Sequence, residues 1–146
     1  MGFDYYANIE PLLQRLKQLD MWAQFQVEND LLLDFLPTLS RVDVKLMVDH
    51  CGRPRAGGGL DQAGFQAVLA LAKTGRAAVK LSGYQKFSLQ PPPYEDAQPF
   101  VRALLDAYTL DACFWASDWP FLKAQQRLDV GPLLRQVERL LPDPFV

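Results

Sequence analysis

Histidine is nearly absent from this chain: its 146 residues carry one imidazole, at His50. That excludes any site built on two imidazoles and leaves imidazole chemistry to a single position. Cysteine is almost as scarce. Cys51 and Cys113 are too few and too far apart for a disulfide scaffold or a clustered zinc site, so both are expected as reduced thiols. An excess of basic charge is missing too, since 15 Lys and Arg against 17 Asp and Glu leave a formal net charge of -2. Such a surface offers no field for nucleic acid or anionic lipid. Long hydrophobic runs are also lacking, because the apolar stretches at residues 63–72 and 104–110 are broken by polar groups and fall short of a membrane span. The opening Met1-Gly2-Phe3-Asp4-Tyr5-Tyr6 lacks the basic-then-apolar order of a signal peptide. The expectation is a cytoplasmic chain with neither a nucleic-acid nor a membrane partner.

What is present is the composition of one globular domain, 49% hydrophobic and 22% charged, able to bury a core. Its patterning alternates. Residues 8–20 read as a helix capped by Asn8, with an apolar stripe of Ile9, Leu12, Leu13, Leu16 and Leu19. Residues 22–27 alternate like a strand, 31–39 have helical spacing despite Pro37, and 42–49 form a second strand. After a loop at 51–60, Asp61 caps a helix to about Thr74, closed by Gly75. Residues 77–81 are a third strand, 82–94 a long loop, 95–108 a helix, 112–116 a fourth strand and 130–141 a last helix. Four strands alternating with helices call for right-handed crossovers and a parallel sheet. An open doubly wound sheet and an arc of a (β/α)8 barrel both satisfy that pattern, but a complete barrel needs about 200 residues or more.

In either form the carboxyl ends of parallel strands lie together, and there the chain concentrates its polar groups. Strand one ends near Gln26 and Glu28, strand two at Asp49-His50, strand three at Ser82-Gly83-Tyr84 and strand four at Ser117-Asp118. Asp118, past the run 110–116 and before Trp119-Pro120, reads either as an acid delivered to a site or as the cap of an Asx turn. Its polar company at the other strand ends favours the site. His50 is the candidate metal ligand, proton carrier or donor to a substrate oxygen. Asp49 is expected to face away from it and anchor a loop. Cys51, adjacent to His50 on an extended chain, should point to the opposite face, which argues against a Cys/His nucleophile pair. Arg53 is placed to bind a substrate carboxylate with its planar fork, whereas Arg55 is expected in solvent. Gly57-Gly58-Gly59 has no following Lys-Ser or Lys-Thr and reads as a flexible turn, not a phosphate loop. Tyr84 and Lys86 either line a pocket for an anionic substrate or belong to a surface loop whose tyrosine covers the core.

Three ordered motifs, Val48-Asp49-His50-Cys51-Gly52-Arg53-Pro54, Val79-Lys80-Leu81-Ser82-Gly83-Tyr84 and Trp115-Ala116-Ser117-Asp118-Trp119-Pro120, together resemble the amidohydrolase-related family 2. These are (β/α)8-barrel hydrolases and decarboxylases that include 2-pyrone-4,6-dicarboxylate lactonases and sugar-lactone hydrolases. The resemblance implies an α/β fold, a partial TIM barrel whose four parallel βα units match strands five to eight. It implies one incomplete domain over residues 1–146, without the amino-terminal barrel half and the last helix. Cys51 and Ala116 depart from the usual residues of the motifs without removing a reactive group.

The same resemblance implies a hydrolase acting on a lactone or related carboxylate-bearing molecule. Asp118 would be the general base or a metal ligand, and His50 would polarise the carbonyl or hold an ion. Arg53 would orient a substrate carboxylate, and Ser82 and Tyr84 would contact substrate. Metal-dependent members hold zinc or another divalent ion with a first-strand His-x-His pair, which a single histidine cannot supply. No tightly bound metal is therefore expected here, and the isolated chain is expected to be inactive. A half barrel would also leave sheet edges and a concave face open to a homodimer or to the other barrel half, as a catalytic partner or in a noncatalytic binding or assembly module.

Overall fold

In the computed structural model the chain is described at residue 6 and over residues 8–122, 124 and 126–141. The residues 1–5 and 142–146 that entered the sequence reading lie outside these. Four strands, β1 (Trp22–Phe25), β2 (Lys45–Val48), β3 (Ala77–Leu81) and β4 (Cys113–Trp115), form one sheet in the order β1-β2-β3-β4. All three pairings are parallel, with Phe25 beside Val48, Val48 beside Val79, and Val79 beside Cys113. Five helices accompany them: α1 (Glu10–Gln18), α2 (Leu31–Arg41), α3 (Ala63–Ala72), α4 (Gln98–Tyr108) and α5 (Val130–Glu138).

This strand order decides between the two topologies. A doubly wound sheet reverses its order at a switch point and so puts helices on both faces. Here the order never reverses, and right-handed crossovers then place every connecting helix on one face. Accordingly α2 packs on α3 and α3 on α4. The fold is a partial (β/α)8 barrel. Alternation along the strands follows from it: Ala23, Phe25, Leu46, Val48, Val79 and Leu81 are buried toward the helices. On the other face Trp22, Gln24 and Phe114 remain exposed.

The core lies between sheet and helices. In α2, Leu32, Phe35 and Leu39 fall on one stripe, and Phe35 meets Phe25 edge-on at 5.6 Å. The central helix α3 is apolar nearly all round because it is flanked on both sides, with Phe65, Val68 and Leu71 buried. Phe65 and Phe100 of α4 stack edge to face at 5.0 Å, and the Tyr108 hydroxyl donates to Val68 O at 2.6 Å.

Several boundaries differ from the sequence reading for identifiable reasons. Asn8 does not cap α1; the cap position is Ile9, without a side-chain bond. Asp61 does not cap α3 either, since Gln62 holds that position. The Gln62 amide instead ties down the preceding loop, accepting from Arg55 N at 2.9 Å and donating to Arg55 O at 2.8 Å. Helix α2 continues past Pro37 to Arg41, with the Ser40 hydroxyl and the Arg41 guanidinium both donating to Pro37 O. Residues 95–97 form a separate 3-10 turn before α4.

Candidate active site

The strand ends do converge, and they bring one histidine, one carboxylate and one ammonium into contact. His50 opens a turn after β2 in which His50, Cys51, Gly52 and Arg53 all adopt left-handed backbone conformations, with φ of 51°, 57°, 72° and 44°. The three non-glycine residues among them, His50, Cys51 and Arg53, carry backbone strain that the surroundings must hold. The turn ends the extended backbone after Asp49. It aims His50 Nδ1 at Ser82 Oγ, 3.0 Å away beyond the end of β3. Gly83 follows at φ +67°, and a Cβ there would stand 2.7 Å from His50 Nδ1. Only glycine lets the chain turn under the imidazole.

From Gly83 the chain enters a 3-10 turn, Tyr84–Lys86, which brings the third loop back over the site. Lys86 Nζ reaches Asp118 Oδ1 at 2.9 Å and His50 Nε2 at 3.2 Å. His50 Nε2 and Asp118 Oδ1 are themselves 3.3 Å apart. The side chains of Lys86, His50 and Asp118 are only 7, 9 and 10% exposed, so this is a desolvated cluster. Gln85 Nε2 donates to Asp118 Oδ2 at 2.6 Å. Asp118 has φ 63°, a region that aspartate tolerates better than most residues. The Asx-turn alternative does not describe its carboxylate. The local turn bond falls to Ser117 Oγ, which accepts from Trp119 N at 3.2 Å, and the Asp118 carboxylate is turned to Gln85 and Lys86.

Arg53 stands apart from this trio. Its Nη2 lies 2.7 Å from Glu28 Oε2, and its buried Nε has no hydrogen-bond partner among the described residues. Arg53, Arg55, Glu28, Lys86 and Phe87 line an open cleft of about 540 Å³, which meets the buried cluster at Lys86. Arg55, expected in solvent, edges the same cleft and sits 3.6 Å from Asp30 Oδ2. Tyr84 is placed elsewhere. It is 2% exposed in the core, against Phe87 and Tyr94 with ring centroids 6.3 and 6.4 Å away, and burial pushes its phenol well above the usual range.

Asp49 bridges strands; it does not anchor a loop. Its Oδ2 accepts from Gln24 Nε2 at 2.8 Å, while Lys80 Nζ lies 3.0 Å from Oδ1, an ion pair by distance without hydrogen-bond alignment. Cys51 is fully buried, and burial raises its thiol to about 12. A thiol held that high is no nucleophile at neutral pH. The folded protein should therefore leave Cys51 unlabelled by iodoacetamide over hours and lose that protection in denaturant, as read by mass spectrometry.

Burial pulls the His50 pKa below its ordinary 6.5. Asp118 opposes that shift, Lys86 reinforces it, and Asp49 and Arg53 act in the same opposing senses. The imidazole is thus favoured neutral in the folded protein. As pH falls below 6.5 the unfolded chain takes up a proton that the folded chain resists, so stability present above 6.5 declines toward the lower folded value. His50→Gln is expected to remove that part of the pH dependence, measured as thermal midpoints on either side of 6.5.

A zinc ion needs three or four protein ligands, and among the described residues no three His, Cys, Asp or Glu side chains converge to hold a metal. His50 and Asp118 supply two, and the Lys86 ammonium contacts both. The donor set in these residues does not fit zinc. Sequence reasoning missed Gln85, which no pattern distinguished from a surface loop glutamine. It also missed the Gln24–Asp49–Lys80 bridge, whose members could have been paired by their inward parity on neighbouring strands. Among the described residues no helix is long and apolar enough to cross a membrane.

The amidohydrolase family model matches residues 2–145. A 4-sulfomuconolactone hydrolase from Rhizobium radiobacter is 29% identical over 130 residues, which is 87% of this chain and 43% of that protein. The crystal structure of a candidate 2-pyrone-4,6-dicarboxylic acid hydrolase from Pseudomonas putida superposes with a TM-score of 0.79 at 27% identity, over 92% of this chain and 50% of its own. An amidohydrolase from Burkholderia multivorans, solved with bound zinc, shares the fold at a TM-score of 0.76 and 23% identity, over 92% of this chain and 49% of its own. The chain spans about half the length of each of these relatives.

Proposed function

This chain belongs to the amidohydrolase family, and we propose that it furnishes half of a hydrolytic site that opens lactones bearing a carboxylate or a similar anionic group. The observation that carries the reading is the buried contact of Asp118 with Lys86 and His50 at the ends of β4, β3 and β2. A carboxylate so placed can take a proton from water as it attacks the lactone carbonyl, then return it to the leaving ring oxygen. Arg53 and Lys86, which meet in the cleft, supply positive charge for the anionic group and for the oxyanion that develops. Ser82 acts on His50, fixing its ring through Nδ1, and Tyr84 shapes the loop from within the core. The relatives named for lactone hydrolysis support this substrate class. The zinc of the Burkholderia multivorans protein has no counterpart in the donor set described above, so no step is assigned to a metal here.

The exposed Trp22, Gln24 and Phe114 on the concave face support completion of the barrel by another four βα units, or by a second copy. A noncatalytic binding or assembly module would use the same face. The test is a panel of lactones with free carboxylates and their neutral esters, offered to the chain alone and to the chain with a complementary barrel half. Ring opening of the free acids, confined to the completed barrel, is expected. Binding of the acids without ring opening in either sample would identify the binding module, and indifference to the carboxylate would remove the assigned substrate class.

A further inference from the structure

The hydrolase reading uses the charge of Lys86 but does not account for its position, wedged between a histidine and a carboxylate when the open cleft is within reach. An ammonium has only donors, so at 3.2 Å from His50 Nε2 it needs a lone pair on that nitrogen. The imidazole proton must then sit on Nδ1, where Ser82 Oγ lies at 3.0 Å to accept it. A second ammonium hydrogen meets Asp118 Oδ1 at 2.9 Å. One cation therefore joins two groups whose facing atoms, 3.3 Å apart, would otherwise oppose a lone pair to an anion.

We propose that Lys86 is the resident cation of this site. It takes the in-plane lone pair of His50 and an oxygen of Asp118 that a divalent ion would need, and thereby fixes His50 as the neutral Nδ1–H tautomer. A metal on Nε2 requires that lone pair. While Lys86 holds it, His50 cannot ligate an ion through Nε2, nor can Nε2 donate to a substrate carbonyl in the resting site. The positive charge at the reacting centre is then carried by a side chain, and the proton acceptor is left to Asp118. Gly83, where a Cβ would stand 2.7 Å from His50 Nδ1, and the 3-10 turn that follows it bring the ammonium there. The consequence for turnover rests on the hydrolase reading; the arrangement itself does not.

Because His50 is the only histidine in the chain, the two imidazole nitrogens give one pair of nitrogen-15 signals, and each reports its protonation directly. In the full chain at neutral pH the spectrum should show a protonated Nδ1 and a bare Nε2 that does not move when zinc is added. Lys86→Met should release Nε2, whose signal then responds to zinc at a concentration lower by roughly tenfold or more, a response that Asp118→Asn in the same background weakens. Lys86→Arg keeps the charge and should keep Nε2 unresponsive. A wild-type spectrum with the proton on Nε2, or equal zinc responses in wild type and Lys86→Met, would overturn the proposal. No response to zinc in Lys86→Met would overturn the claim that the ammonium is what excludes the ion. Should Lys86→Met fail to fold, the wild-type tautomer alone decides. None of these readings depends on turnover, so a chain that opens no lactone but shows the Nδ1–H tautomer refutes the function and leaves the resident cation standing.

Discussion

Asp118→Asn is expected to lower kcat for lactone opening in the completed barrel by about 100- to 10,000-fold, the usual contribution of a general base, with KM changed much less. Asparagine keeps the shape and one oxygen acceptor, so the contacts from Gln85 at 2.6 Å and Lys86 at 2.9 Å can partly survive. What it cannot do is accept the proton of the attacking water. On the proposed reading Arg53, in the wall of the cleft, anchors the substrate away from the substitution, which is why the loss should appear in kcat. The change also leaves the Lys86 ammonium, 7% exposed, facing a neutral amide. Removing one partner of a buried ion pair can cost ~3 kcal/mol, so circular dichroism and the thermal midpoint must accompany the kinetics. A folded variant with unreduced kcat would assign the base to another group.

The largest effect on stability should come from a position with no part in the chemistry. Gly64 lies in the first turn of α3, and a Cβ there would meet Asn29 O at 1.9 Å and Asp30 Cα at 2.8 Å. Both are backbone atoms of the connection between β1 and α2, so no side-chain rotation relieves the clash. The Gly64 N–H is also committed, donating to Asp30 Oδ1 at 2.8 Å, which pins the helix end to that connection. Gly64→Ala must therefore push α3 away from the loop. The cost is expected at ~3 kcal/mol or more, a fall of roughly 10 °C in thermal midpoint for a chain of this size. Scanning calorimetry of Gly64→Ala beside Gly59→Ala, where a Cβ meets nothing within 4 Å, separates crowding from glycine's backbone freedom. Gly59→Ala carries only the penalty of its positive φ.

The sequence made the strand-end chemistry legible because parallel strands collect their carboxyl ends whatever the helices do between them. Hence His50, Ser82 and Asp118 could be placed together from motif positions alone, and β3 could be bounded at residues 77–81 between Gly75 and Ser82. Lys86 could not be resolved between pocket and surface, since its reach depends on Gly83 adopting φ +67° and on the turn after it. Tyr84 was ambiguous for the opposite reason. The same turn that swings Lys86 toward Asp118 buries Tyr84 against Phe87 and Tyr94, and a tyrosine suits either setting. The loop-anchoring role given to Asp49 failed because its backbone is still extended, at φ -77° and ψ 149°, so it keeps the parity of Gln24 and Lys80, and the left-handed turn begins only at His50. Helical spacing across Pro37 was legible at residues 31–39, and α2 runs two residues further to Arg41, with the side chains of Ser40 and Arg41 bonding to the Pro37 carbonyl.

The most direct measurement is the ultraviolet-monitored opening of 2-pyrone-4,6-dicarboxylate by the completed barrel, run in parallel on wild type, Asp118→Asn and Arg53→Met. Turnover by wild type, binding without turnover by Asp118→Asn, and a raised KM with retained kcat for Arg53→Met are expected. Equal turnover by wild type and folded Asp118→Asn would contradict a hydrolytic site centred on Asp118.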